Sequence, residues 1–160
     1  MTNNPQVFTS KPIPINKNPE NNFYRADLEF HGIDHSGISY EARVFLNNES
    51  ANYKTEQNES VNYVGSFYVF AHGGCFGDAG HCIIKPRNDP YDDRLSHPLT
   101  PAFKFLTITK HFNRIMQNID QITVTVVPIV KRDPDMEKES DMSDINNVLK
   151  FEKVKLVTYD

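Results

Sequence analysis

Two thiols and two imidazoles lie within eleven residues in the stretch His72-Gly-Gly-Cys75-Phe-Gly-Asp78-Ala-Gly-His81-Cys82, the densest grouping of reactive side chains in this 160-residue chain. Thiolate sulfur and imidazole nitrogen together suit zinc or copper, and two of each make a tetrahedral ligand set. The metal ligands expected on this reading are His72, Cys75, His81 and Cys82, holding a copper or zinc ion. The spacing His-x2-Cys-x5-His-Cys belongs to no standard zinc module, and adjacent His81 and Cys82 reach one ion only across a kinked backbone. Three other readings use the same residues. The glycines can form tight turns, the cysteines can fill small buried sites, and the histidines can tie the loop to itself by hydrogen bonds. Cys75 and Cys82 can close a short disulfide loop in an exported protein. Either thiolate, with His72 or His81 as base and Asp78 as orienter, has the residue types of nucleophilic catalysis, although such groups generally come from distant parts of a chain.

Around this core, residues 72–98 hold four of the seven glycines, three of the six histidines and both cysteines. A connection of that length without regular structure is either functional or unordered. Asp89, Asp92 and Asp93 offer oxygen ligands for a hard cation, but their spacing is not that of a calcium loop, and Pro90-Tyr91 reads as a turn. His31 and His35 flank Gly-Ile-Asp and are expected to be solvated. Asn48-Glu-Ser50 and Asn58-Glu-Ser60 fit the glycosylation pattern, which counts only in an exported chain. His97-Pro-Leu-Thr-Pro101 fixes an extended entry into the next element through its two prolines.

The elements that must position this loop are strands. Tyr24, Ala26, Leu28 and Phe30 alternate with Arg25, Asp27, Glu29 and His31, the two-residue period of a half-buried strand. Tyr40 to Leu46 alternates in the same way and stops at the turn-forming Asn47-Asn48. Val64 to Ala71 is apolar on both faces apart from Gly65 and Ser66, which predicts a central strand covered on both sides. Phe103 to Thr109 is a fourth strand, Gln121 to Val130 a fifth with Pro128 marking an edge or a bulge, and Val148 to Tyr159 a sixth. Phe112, Ile115, Met116 and Ile119 stand at helical spacing and allow one short helix. Six strands separated by turn signals, with at most one short helix, predict a mainly β fold, an antiparallel β-sandwich carrying one long Gly/Cys/His loop.

Composition bounds what surrounds this fold. Residues 1–22 are rich in Asn and Pro and read as a disordered or extended N-terminal arm, leaving 23–160 as a single β-sandwich domain. At this length a core forms without disulfide staples. The formal net charge is -4, and Lys131 to Asp144, with three basic and six acidic residues, accounts for most of it. That segment is expected to be a solvated loop. The near-neutral remainder has no basic footprint, so neither nucleic acid nor an anionic membrane is an expected partner. No signal-like segment and no apolar run of about 20 residues is present, so a cytoplasmic protein with reduced cysteines is expected.

Five stretches together resemble a known family. They are Asp34-His-Ser-Gly-Ile-Ser-Tyr-Glu-Ala-Arg-Val-Phe-Leu-Asn-Asn48, Gly65-Ser-Phe, the His72 to Cys82 loop, His97-Pro-Leu-Thr-Pro101 and Ile122-Thr-Val-Thr-Val-Val-Pro128. In this order, over about residues 23–160, the chain looks like the β-domain that follows the catalytic domain in bacterial proteins of the tyrosinase and polyphenol oxidase superfamily. The resemblance implies a domain that packs over the oxidase's active-site entrance and shields it, orients it or assists copper loading. A dicopper site in that superfamily needs six histidines from a helical bundle. Here the six, His31, His35, His72, His81, His97 and His111, are scattered over turns and strands. The resemblance therefore implies an accessory β-domain occurring alone, with no catalytic residues, whose partner is a tyrosinase-like oxidase or another copy of itself. The alternatives are an independent copper- or zinc-binding protein using the His72 to Cys82 loop, or a small thiol-dependent enzyme.

Overall fold

Alternation along the longest strand decides how the molecule is layered. The computed structural model describes residues 5–20, 22–71, 83, 91, 99–130 and 147–160. Strand β3 (Arg25–Ile33) turns Ala26, Leu28 and Phe30 inward, all without solvent exposure. Around it lie β6 (Ala102–Thr107) and β9 (Lys153–Tyr159), both antiparallel, with Leu28 opposite Leu106 on one side and Leu156 on the other. The second sheet runs β1 (Phe8–Thr9), β8 (Val124–Ile129), β4 (Tyr40–Leu46), β5 (Tyr63–Val69), again antiparallel, with Val44 opposite Val126. A small ribbon pairs β2 (Ile13–Pro14) with β7 (Gln121–Ile122).

The two sheets share one core, in which Phe30 of β3 meets Phe67 of β5 at 4.7 Å between ring centroids. Each large apolar side chain fully removed from water there stabilises the fold by about 1.5–3 kcal/mol before cavity terms. The sandwich expected from the sequence is the fold observed, and its six long strands are the six predicted. Helix α1 (Thr109–Ile115) plugs one end, burying Phe112, with Met116 buried just beyond it. Asn113 ties the helix to the entry of β3, accepting from the Phe23 N–H at 3.1 Å and donating to the Phe23 carbonyl at 2.8 Å.

Several local expectations are refined. β5 stands at the edge of its sheet rather than in the centre, and Tyr68 and Phe70 remain 54% and 77% exposed. Apolarity on both faces was aromatic surface there, not double coverage. At Gly65, φ is +141°, and a Cβ would lie 2.9 Å from Leu106 Cδ1, so glycine lets the edges of the two sheets approach. Pro128 sits in β8, which has neighbours on both sides, yet its ring costs no ladder bond. The Val124 carbonyl accepts from the Ser10 N–H, so residues 124, 126 and 128 direct their backbone groups toward β1. β1 reaches only Val126, and a donor at 128 would have nothing to meet.

Within residues 5–20 the chain forms two short strands. Phe8 and Thr9 add a short strand to β8, and the Ile15 N–H donates to the Asp120 carbonyl at 2.9 Å. The acidic stretch expected as a solvated loop lies outside the described residues. Among the described residues, no helix is long and apolar enough to cross a membrane.

Candidate functional site

His72, Cys75, His81 and Cys82 lie outside the described residues, as do Asp78, Asp89, Asp92, Asp93 and His97. Their attachment points are defined. The connection leaves after β5, where the Ala71 N–H donates to Ser39 Oγ at 2.9 Å. It returns before β6, where the Thr100 carbonyl lies 2.8 Å from His35 Nε2. Both ends are thus fastened to one turn, residues 34–39, which Asp34 organises by accepting from the Ser36 N–H at 2.9 Å and the Ser36 hydroxyl at 2.7 Å. Those two bonds hold the Asp34 carboxyl below its usual range. Beside this turn Tyr40 is buried with its hydroxyl unbonded, and burial, with the nearby Asp34 charge, pushes it up to about 12. The long connection joins an edge strand of one sheet to an edge strand of the other.

The outer face of the β6-β3-β9 sheet is built differently from the opposite face. On the four-stranded sheet, Phe45 and Val127 point outward but are covered by the chain itself, through Ala51, Val7, Val61 and Tyr63. On the three-stranded sheet, Phe103, Phe105 and Tyr159 stay 50%, 54% and 45% exposed. Between them runs a polar row from β3. Asp27 is almost fully buried, its side chain 4% exposed, and its Oδ2 accepts from Arg25 Nε at 2.7 Å. Its other oxygen, Oδ1, is buried without a hydrogen bond, at a cost of about 1–3 kcal/mol for an orphaned polar group. The Arg25 guanidinium lies 5.5 Å from the centroid of the Phe105 ring and 5.7 Å from that of Tyr159. Glu29 and His31 pair at 2.8 Å, and the His31 ring meets Phe103 edge-on at 4.9 Å. His31 is therefore a half-buried, engaged side chain of β3 rather than a solvated turn residue.

Sequence reasoning did not single out this face. Alternation finds β6 but not which of its sides is inward: Lys104 stands on the partly buried side and the two phenylalanines face out. The exposed phenylalanines only become noticeable once the register with β3 is known.

Two further polar clusters tie elements together. Arg114 of α1 donates to His111 Nδ1 at 3.1 Å and to Glu59 Oε2 at 2.7 Å, joining the helix to the 3-10 turn Glu59–Val61. On β4, Glu41 Oε1 accepts from Ser66 Oγ at 2.8 Å and Gln57 Nε2 at 3.1 Å, while Ser66 also meets the Tyr63 hydroxyl at 2.8 Å. Asn48 and Asn58, of the two glycosylation-like triplets, are engaged in local turns, through the Val61 carbonyl and the Ser60 N–H. Among the described residues no three His, Cys, Asp or Glu side chains converge to hold a metal ion.

No protein-family model matches the chain, and no curated protein matches its sequence. Solved structures do match its fold. A recombinantly expressed latent aurone synthase, described as a polyphenol oxidase, superposes with a TM-score of 0.50 at 14% identity, over 99% of this chain and 25% of that one. The same kind of protein co-crystallised with hexatungstotellurate(VI) gives a TM-score of 0.52 at 14% identity, over 96% of this chain and 24% of its own. This chain thus spans about a quarter of the length of the solved chains it matches, and the likeness is one of fold.

Proposed function

We propose that this chain is a non-catalytic β-sandwich module that works with a tyrosinase-like copper oxidase, by shielding it, assisting its assembly or delivering copper to it. The observation that carries the reading is the fold match: nearly the whole of this chain superposes on a quarter of a chain described as a polyphenol oxidase. It agrees with the five sequence stretches that resemble the β-domain of that superfamily. The scattered histidines speak for an accessory rather than a catalytic role. The test is co-elution of the full chain with a purified tyrosinase-like copper oxidase on size exclusion, followed by oxidase activity with and without this chain. A complex with altered activity or copper content supports the reading; a monomer that ignores the oxidase overturns it.

A second reading, favoured by His72, Cys75, His81 and Cys82 falling within eleven residues, makes the chain a copper- or zinc-binding protein in its own right. Metal analysis of protein purified without a histidine tag distinguishes it.

A further inference from the structure

We infer that the outer face of the β6-β3-β9 sheet is the docking surface for the oxidase partner, with Arg25, held between the rings of Phe105 and Tyr159, as receptor for a partner carboxylate. The inference rests on the binding-module reading for the existence of that partner; the choice of face and the chemistry of the partner come from the molecule itself.

The choice of face follows from the contrast between the two sheets. The four-stranded sheet hides its outward Phe45 and Val127 under its own chain, whereas Phe103, Phe105 and Tyr159 lie half-exposed with no cover among the described residues. Aromatic residues and arginine are the types that dominate protein interfaces and their energetic centres.

The chemistry follows from Arg25. Its Nε–H is taken by Asp27, and its four terminal N–H groups have no acceptor among the described residues. An arginine fixed through Nε and flanked by rings on both sides presents its remaining fork already oriented, so little freedom is lost when a carboxylate docks end-on. Asp27 is the positioning residue, buried beneath with one oxygen on Arg25 and the other unbonded. In register, Lys153 stands opposite His31 and Lys155 opposite Glu29. Arg25, Lys153 and Lys155 together outnumber Asp27 and Glu29 on this face, in a chain of net charge -4. The complementary surface is apolar and acidic. An open sheet face with half-exposed rings suits a protein surface rather than an enclosed small molecule, and the cavity of about 370 Å³ lined by Val7, Tyr53, Lys54 and Val127 opens on the other sheet.

The experiment titrates the full-length chain into a purified tyrosinase-like copper oxidase from the same organism, at low and high salt, with sedimentation of the chain alone in parallel. Arg25→Gln and Phe105→Ser are each expected to weaken the complex at least about tenfold, as central interface residues do. Asp27→Asn should weaken it several-fold, and Arg25→Lys should lose affinity while keeping the salt dependence, since the charge survives but the fork does not. Tyr53→Ser and Lys54→Gln, on the other sheet, should change it by less than about twofold. Phe105→Ser replaces a half-exposed ring and should leave the melting curve nearly unchanged, whereas Arg25→Gln also strips the buried Asp27 of its partner and is expected to lower it; Arg25→Lys, which keeps the charge beside Asp27, separates lost affinity from lost stability. A complex indifferent to Arg25→Gln and Phe105→Ser overturns this inference and leaves the binding-module reading standing. Absence of any complex overturns that reading, and this inference with it. A homodimer that dissociates on Arg25→Gln, with no oxidase bound, puts a second copy on the face and overturns the oxidase as its occupant.

Discussion

His111 shows how one buried ring can set a pH dependence for the whole chain. A guanidinium only donates, so His111 Nδ1 must accept from Arg114, which leaves the ring proton on Nε2, buried with no acceptor. Burial, and next the Arg114 charge, hold this imidazole below its ordinary value, with Glu59 opposing. The unfolded chain takes up a proton near about pH 6.5 that the folded state resists. The stability due to neutral His111 is therefore full above that pH and is lost as pH falls toward the depressed folded value. The slope approaches at most about 1.4 kcal/mol per pH unit, the limit for one proton. His111→Asn, which keeps an acceptor for Arg114, should flatten urea-unfolding stability between pH 7 and 5 relative to the natural chain. Equal slopes in the two proteins would refute the assignment. Glu59, held down chiefly by the Arg114 hydrogen bond, acts in a separate window, losing its contribution only as pH drops below the normal carboxylate range. Backbone strain gives a second test at this scale. Gly65→Ala must place a Cβ against Leu106 at positive φ and should cost about 1–3 kcal/mol, whereas Gly37→Ala, with open space around it, should be near neutral.

Among the elements, the N-terminal arm is where composition and structure diverge most. Asn and Pro argue against an independently stable segment, and the arm indeed has no core of its own; it is ordered by borrowing the edge of β8 and by setting Phe8 against Phe151 at 4.7 Å, edge to face. Two-residue strands such as β1, β2 and β7 are too short to show a period, so no reading of alternation finds them. The six long strands were legible, β3, β4, β6 and β9 from the two-residue pattern and β5 and β8 from apolar or β-branched runs. Strand order was not: β5 at an edge and β8 inside the sheet depend on pairings between residues far apart in sequence. The arm's role is measurable. Phe8→Ala should destabilise the chain by about 2–3 kcal/mol, toward the low end for a buried Phe because the site is only partly closed. Pro128→Ala should cost about 1–2 kcal/mol, because Pro128 is buried, the smaller side chain gives up ring contacts and the restored N–H would point past the end of β1 without a partner. Thermal or urea unfolding of both variants decides this, and a gain in stability at Pro128 would contradict the ladder geometry.

At the scale of the whole molecule, the fold was readable and the docking face was not, for the same physical reason. Alternation reports which positions are apolar, and burial of an apolar stripe is what a sandwich requires; but Phe103 and Phe105 form an apolar stripe that the fold leaves outside, and Lys104 takes the inner side. The sequence reading instead fixed on the connection between β5 and β6, whose ends are both pinned to the turn at residues 34–39. That placement gives the metal reading a global consequence. The segment joins the edge of one sheet to the edge of the other, so an ion held by His72, Cys75, His81 and Cys82 would shorten the chain between the two layers. Because the four ligands lie within eleven residues, the unfolded chain can bind the ion as well, so the stabilisation reaches at most about 2.7 kcal/mol when free metal is a hundredfold above its dissociation constant. Tag-free protein under reducing conditions, melted with zinc or copper(I) and again with a chelator, should then show a metal-dependent rise in melting temperature. The rise should vanish when Cys75 and Cys82 are both replaced by serine, yet persist in Arg25→Gln, which lies on the other functional surface. A melting temperature indifferent to metal in the natural chain removes the metal reading and leaves the connection to be explained by its glycine turns alone.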